Sequence, residues 1–309
     1  MDAQDIAGYN YADRYHGEDM YTPDKEKYPN RMFIGTETYT NPRCWVGIKD
    51  KPWVMGEFLW AGIDYLGEAW KWPNRSITCS LFDLAGLKMP IYYNRKSFWT
   101  DEPIVYLAVQ PDSLKPNDWK AYQSYAHWNW EHDTRDSLTV YAFSNCEKVK
   151  LTLNDRPIGT FIPDKYHVVT TKIKFRPGTL KAVGVNNNKM VTIHELKTAK
   201  EAVSLNLKKC NETTTSNQKL MQVEIDAVDK NGNVVFADIS EVTITMKGSG
   251  KLIGLDTADP NSQELYKTDH RRLFQGKAMA TILIEGDGII SVVASSPKLK
   301  TGEITMNSK

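Results

Sequence analysis

Three short runs near the start of the chain end in groups that can donate, accept or transfer protons. Arg31-Met-Phe-Ile-Gly-Thr-Glu37 is largely apolar up to a carboxylate. If that run is a buried parallel strand, the carboxylate stands at its C-terminal end, the side on which (β/α)8 barrels build their active sites. A Glu there can attack an electrophilic carbon or exchange a proton. The same position also suits an ordinary solvated or hydrogen-bonded surface Glu, and spacing alone does not separate the two. The second run, Trp53-Val-Met-Gly-Glu-Phe-Leu-Trp60, continues through Asp64 and Tyr65 to Glu68. Trp60 offers an indole face on which a sugar ring can stack, although a strand-end Trp serves core packing equally well. The third run, Asp5-Ile-Ala-Gly-Tyr9-Asn10-Tyr11, ends in phenols that can donate hydrogen bonds to a nearby carboxylate.

These groups need a scaffold that brings three strand ends to one rim. Asp5 to Tyr11, Arg31 to Thr36 and Trp53 to Trp60 read as short strands separated by polar, Pro-bearing stretches. Pro90 to Thr100 carries apolar and aromatic residues at helical spacing behind a Pro, which predicts a helix ending near Asp101. This β/α pattern has too few units to close a barrel. From Ile104 the text changes to period-two alternation, with strands expected at 138–143, 149–154, 168–175 and 179–185 and turn residues between them. After Thr198-Ala199 a second such unit follows, with strands at 220–229, 242–248, 278–286 and 289–296, and Asp229 to Asn233 as a hairpin turn. The expected fold is mixed and mainly β. A partial (β/α)8 barrel over residues 1–103 leads into two immunoglobulin-like β-sandwiches, 104–198 and 199–309.

Bulk properties narrow the partners. The chain of 309 residues has 39 basic and 38 acidic side chains, a net charge of +1, so no global field draws it to nucleic acid or to an anionic membrane. No apolar run is long enough to cross a bilayer, and MDAQDIAGYN lacks the order of a signal peptide. Cys44, Cys79, Cys146 and Cys210 are scattered, without metal-ligand spacing, and read as free thiols. Neither a metal nor a cofactor is called for. The 9 Trp and 15 Tyr are the one compositional excess, and flat amphipathic rings suit sugar faces.

Taken in order, AGYNYADRY, NRMFIGTETY and GEFLWAGIDYLGE resemble the last three barrel strands of family 2 glycoside hydrolases of the β-galactosidase type. LFDLAGLKMPIYYNRKSFW resembles that family's closing stretch and final helix. HWNWE, VYAFSNCEKVKLTLNDRPIG and IHELKTA are similar to the sandwich after the barrel, and VDKNGNVV, GKLIGLDTAD and FQGKAMATI to an additional C-terminal one. The resemblance implies a retaining exo-β-glycosidase with Glu37 as nucleophile, Trp60 lining the sugar site and Tyr11 beside the nucleophile. It places Asp64 and Glu68 on the following loop, able to touch substrate or to serve as structural ion-pair partners. Gly86-Leu87-Lys88 lacks the Asn-x-Lys motif of β-glucuronidases, which favours a neutral sugar such as a β-galactoside.

A retaining mechanism needs two carboxyl groups roughly 5 Å apart. In the family the acid/base Glu follows an Asn upstream of the nucleophile. The one Asn-Glu pair here, Asn211-Glu212, lies in a polar stretch of the last unit. The expectation is therefore a truncated C-terminal piece, nearly inactive alone, whose partner is the missing N-terminal part of its parent. Its exposed strand edges would be covered by the sandwiches or by a second copy in a homo-oligomer. The parent's compartment, bacterial cytoplasm or periplasm, stays open. A rival reading makes the chain a noncatalytic carbohydrate-binding or structural module, with Trp119, Trp128 and Trp130 as candidate exposed aromatics on a sandwich face, although their place just before a strand run favours packing against the barrel remnant.

Overall fold

The computed structural model describes residues 5–12, 17, 19–112, 114, 121–130, 137–215 and 218–308. The fold is mainly β. The chain forms two compact units: Met1–Asp64, Thr78–Phe82 and Lys88–Lys197 make the first, and Tyr65–Ile77, Asp83–Leu87 and Thr198–Lys309 the second.

The first unit opens with a parallel sheet in the order β1 (Ile6–Asn10), β2 (Met32–Thr38), β3 (Val54–Leu59). Among the described residues three short helices accompany it, α1 (Thr22–Lys27), α2 (Pro42–Val46) and α3 (Pro90–Lys96), each with a Pro in its first turn. Proline suits that place because its ring presets the helical φ and its missing N–H would have had no intrahelical partner. Ala7, Tyr9, Tyr21, Phe33 and Ile48 form a core on this sheet, with the Tyr9 and Tyr21 rings stacked at 5.1 Å. Gly35 permits the tight fit of β2. A Cβ there would meet Thr38 Cγ2 at 2.8 Å and the Tyr21 hydroxyl at 3.0 Å. Helix α3 stops at Lys96, short of the expected Asp101: the Phe98 and Trp99 N–H groups turn to the Arg95 and Lys96 carbonyls, three residues back, at 3.1 and 2.9 Å, and Ser97 Oγ donates to Asn94 O at 2.6 Å.

Next come β4 (Val105–Gln110), β5 (Ser137–Ser144), β6 (Lys148–Leu153), β7 (Arg156–Phe161), β8 (Val168–Lys174), β9 (Thr179–Asn186) and β10 (Lys189–Lys197). They form two sheets, β4-β5-β8 and β10-β9-β6-β7. Leu107, Val109, Leu138 and Val140 from one sheet and Val149, Leu151, Leu180 and Ala182 from the other close a single core. Each fully buried Leu or Val contributes on the order of 1.5–3 kcal/mol relative to exposure. Trp128, an exposed aromatic only under the rival reading, is fully buried in this core, where its indole N–H finds the Arg176 carbonyl at 2.9 Å. Trp130 is half-buried against His127, with ring centroids 4.2 Å apart, and Trp119 lies outside the described residues.

The second unit holds β11 (Ser204–Thr214), β12 (Lys219–Val228), β13 (Glu241–Gly248), β14 (Gly250–Asp256), β15 (His270–Arg272), β16 (Lys277–Ile284), β17 (Ile289–Ser295) and β18 (Gly302–Asn307). Its sheets, β11-β12-β16-β14 and β15-β13-β17-β18, share a core that includes Val223, Ile225, Val242, Ile282 and Val292. Asp229 to Asn233 does turn the chain, but it does not join paired strands, since β12 and β13 lie in different sheets. Asp229 Oδ1 accepts the N–H groups of Asn231 and Asn233 at 2.8 and 3.0 Å, and the return leg makes one bridge, Val228 to Val234, before crossing over. No described helix is long and apolar enough to cross a membrane.

Candidate active site

The carboxylate singled out in the sequence, Glu37, lies inside β2 rather than after it, one residue before the strand's end. The reason is a register shift: Tyr9 pairs with Gly35, but Asn10 pairs with Glu37, so Thr36 is passed over and left exposed. Such an irregularity re-aims the side chains that follow it. Phe33 and Gly35 are buried, the alternation slips at Thr36, and Thr38 becomes the next buried residue. Glu37 is half-buried.

Tyr11 reaches Glu37 twice. Its backbone N–H donates to the Glu37 carbonyl at 2.8 Å, and its phenol is hydrogen-bonded to the Glu37 carboxylate. Burial raises the Tyr11 pKa, and the bond to Glu37 and that carboxylate's charge raise it further. The phenol therefore stays protonated and remains a donor. Its ring packs on Tyr39 at 4.7 Å, and its backbone sits at φ 52°, in the left-handed region just past the strand end.

The residues flanking Glu37 are held from several elements. Thr38 Oγ1 donates to Glu57 Oε2 on β3 at 2.9 Å, and the Thr38 carbonyl accepts the Trp60 N–H at 2.9 Å. Glu57 is in turn ion-paired with Arg95 of α3, and both side chains are buried. Neither Arg95 nor the pair is part of the reading from sequence. A charged Glu57 in the middle of an otherwise apolar strand is the signal that could have prompted a search for a cation. Two residues further, Thr40 Oγ1 donates to the Cys79 carbonyl at 3.3 Å. The N–H groups of Cys79 and Ser80 both point at Asp64 Oδ1, each at 3.1 Å, with Asp64 only 6% exposed.

The structure thus brings Tyr11 and Glu37 together and ties the half-buried Trp60 to the same strand end through backbone. Asp64 is buried and occupied as an acceptor for a loop. Glu68 belongs to the second unit, where it is exposed and hydrogen-bonded by the Tyr65 hydroxyl. Among the described residues no group of three or more His, Cys, Asp or Glu is arranged to hold a metal ion. None of the four cysteines is in a disulfide, and Cys210 is the exposed one.

Comparison with known proteins places these features in context. Residues 205–305 match the family described as glycoside hydrolase family 2 C-terminal domain 5, and residues 136–192 match a domain of unknown function, DUF4982. The β-galactosidase BoGH2A of Bacteroides ovatus is 27% identical over 267 residues, 85% of this chain. A putative β-glucuronidase of Formosa agariphila is 26% identical over 269 residues, 82% of this chain. The crystal structure of a glycosyl hydrolase family 2 member from Bacteroides cellulosilyticus superposes with a TM-score of 0.85 at 26% identity, covering 99% of this chain and 42% of that one. The chain spans 29% and 24% of the lengths of the two curated relatives.

Proposed function

We propose that this chain, which in sequence and fold corresponds to the C-terminal part of glycoside hydrolase family 2 proteins, supplies the nucleophile of a retaining exo-β-glycosidase through Glu37. The observation that carries the reading is the Tyr11 phenol on the Glu37 carboxylate at the end of the central strand of the parallel sheet. A retaining enzyme needs one carboxylate held ionised and aimed to attack the anomeric carbon, while a second carboxyl protonates the departing glycosidic oxygen. Water then displaces the sugar from Glu37 with the second group acting as base. A phenol that stays protonated keeps donating to the attacking carboxylate, fixing its orientation.

In this reading β1 to β3 are the last strands of a (β/α)8 barrel, and the two domains behind them are immunoglobulin-like sandwiches. Support comes from apolar side chains on the outer strands of the parallel sheet: Met55 is 54% exposed, Phe58 63% and Ile6 49%, surfaces that neighbouring barrel strands and helices would cover. The acid/base carboxyl comes from another part of the whole protein. The carboxylates near Trp60 in sequence have other partners: Glu57 has Arg95 and Asp64 has two backbone N–H groups. Asp64 accordingly serves loop structure here, while Trp60 supports the sugar ring. A neutral sugar such as galactose fits the lack of an Asn-x-Lys motif around Gly86-Leu87-Lys88.

The reading is tested in the whole protein with aryl β-galactoside, β-glucuronide and β-mannoside. Turnover is expected on the galactoside, with Glu37→Gln lowering kcat by at least about a thousandfold while sugar affinity is kept. Substantial activity in the variant would remove Glu37 from the mechanism.

A further inference from the structure

The second unit contains a segment whose backbone is held far more firmly than its side chains require. Tyr65–Ile77 leaves and returns as a narrow loop. Gly67 N–H donates to Arg75 O at 2.8 Å, Ile77 N–H to Tyr65 O at 3.1 Å, and Leu66 and Ser76 form a bridge. Its tip is closed by Asn74 N–H on Lys71 O at 3.0 Å and by the Asn74 side chain accepting Ser76 N–H at 2.9 Å. The unit's other residues brace it. Arg75 N–H bonds to Pro260 O at 2.8 Å, and the Arg75 guanidinium donates to the Tyr266 hydroxyl at 3.3 Å. The Tyr266 ring also carries Arg271, with the guanidinium 4.9 Å from its centroid, and Arg271 is itself fully buried. Gln263 Nε2 reaches Pro73 O at 3.4 Å.

This braced tip presents two large aromatics to solvent. Trp70 is 78% and Trp72 71% exposed. Neither indole donates a hydrogen bond or stacks on another ring among the described residues, so the fold of the unit does not account for them. Leaving two indoles in water forgoes burial that a core would reward, and exposed apolar surface of this size on a fixed backbone marks a contact site. The loop carries few charges. Arg75 is engaged with Tyr266, which leaves one carboxylate, Glu68, and one ammonium, Lys71, in the segment, and the chain as a whole carries +1. That balance disfavours an ionic ligand and suits a neutral one with many hydroxyls.

We infer that Trp70 and Trp72 form a stacking platform for the pyranose rings of a neutral β-linked oligosaccharide. The C3, C4 and C5 hydrogens of a β-galactosyl ring make an apolar face that matches an indole face, while Glu68 offers an acceptor and Lys71 a donor to the ring hydroxyls. The identity of the ligand class rests on the glycosidase reading; the platform itself rests on the braced loop. Two aromatics spaced by one residue engage more than one sugar, so the affinity grows with chain length.

The test is a calorimetric titration of the 309-residue chain with β-1,4-galactotetraose and with galactose, alongside sedimentation of the free chain. Tetraose binding tighter than monosaccharide binding is expected, and Trp70→Ala with Trp72→Ala together lower the tetraose affinity at least about tenfold. Trp99→Ala, which removes a 64% exposed indole of the first unit, leaves it unchanged. Because both platform residues are exposed, the double variant keeps its melting temperature. Absent tetraose binding, binding indifferent to the double variant, or a self-associated chain that the double variant turns monomeric would each overturn the platform. Glu37→Gln separates the two claims: it leaves tetraose affinity intact here while abolishing turnover in the whole protein.

Discussion

The role proposed for the Tyr11 and Glu37 pair requires that the strand end that carries it does not shift, and single residues provide that restraint. Glu57 accepts from Thr38, the residue after Glu37, and Arg95 neutralises Glu57 out of contact with water. A buried ion pair of this kind adds little net stability against an apolar replacement, but removing one partner leaves a charge stranded. Arg95→Met should therefore cost about 3 to 5 kcal/mol, while adding Glu57→Gln to it should restore a large part of that loss. Thermal unfolding of the two variants checks this, and equal melting temperatures for Arg95→Met and the double variant would show that the pair is not the restraint. The sequence makes Glu37, Tyr11 and Trp60 legible because each ends an apolar run. It hides Arg95, because a partner 38 residues away leaves no local trace. It hides the slip at Thr36 as well, since a skipped residue leaves the composition of a strand unchanged.

At the scale of elements, the strands with clean alternation are readable and the polar edges are not. β5, β6, β8, β9, β12, β13, β16 and β17 coincide within a few residues with the apolar alternations. β7 begins Arg-Pro and β10 is exposed along much of its length, so neither carries the pattern of a half-buried strand. β10 nevertheless contributes a joint. His194 Nδ1 accepts the Leu107 N–H of β4 at 3.1 Å, linking the two antiparallel sheets of the first unit, and His127 Nδ1 accepts the Asn129 N–H at 3.2 Å. Burial lowers both imidazoles from 6.5 to about 4, so each is neutral and able to accept at pH 7. Between those values the unfolded chain takes up protons that the folded chain refuses, so stability is full above about pH 6.5 and falls as pH drops towards 4. The melting temperature should decline from about pH 7 to about pH 5, and less steeply in His194→Gln. A flat profile over that range would mean that neither histidine is held neutral by the fold.

For the molecule as a whole, the chain path matters more than the order of domains. The sequence pattern divides the text at about residues 103 and 198, whereas the chain enters the second unit three times, at Tyr65, Asp83 and Thr198. Leu84, Ala85 and Leu87 pack there with Ala258 and Met279, and Arg75 clasps Tyr266. Partners that lie close to two hundred residues away cannot be read from local periodicity, and the braced loop with Trp70 and Trp72 leaves no trace in the sequence for that reason. The segment between Trp60 and α3 is thus shared between the unit carrying Glu37 and the unit that ends the chain. The most direct measurement of the central claim is covalent trapping in the whole protein with 2-deoxy-2-fluoro-β-galactosyl fluoride. Its C2 fluorine slows breakdown of the glycosyl-enzyme, while fluoride still departs readily. Mass mapping of the digested protein should find one added fluorosugar on the peptide holding Glu37, and none in Glu37→Gln. A label on Glu57, on Asp64 or on any carboxylate outside this chain, with Glu37 unmodified, would contradict the account.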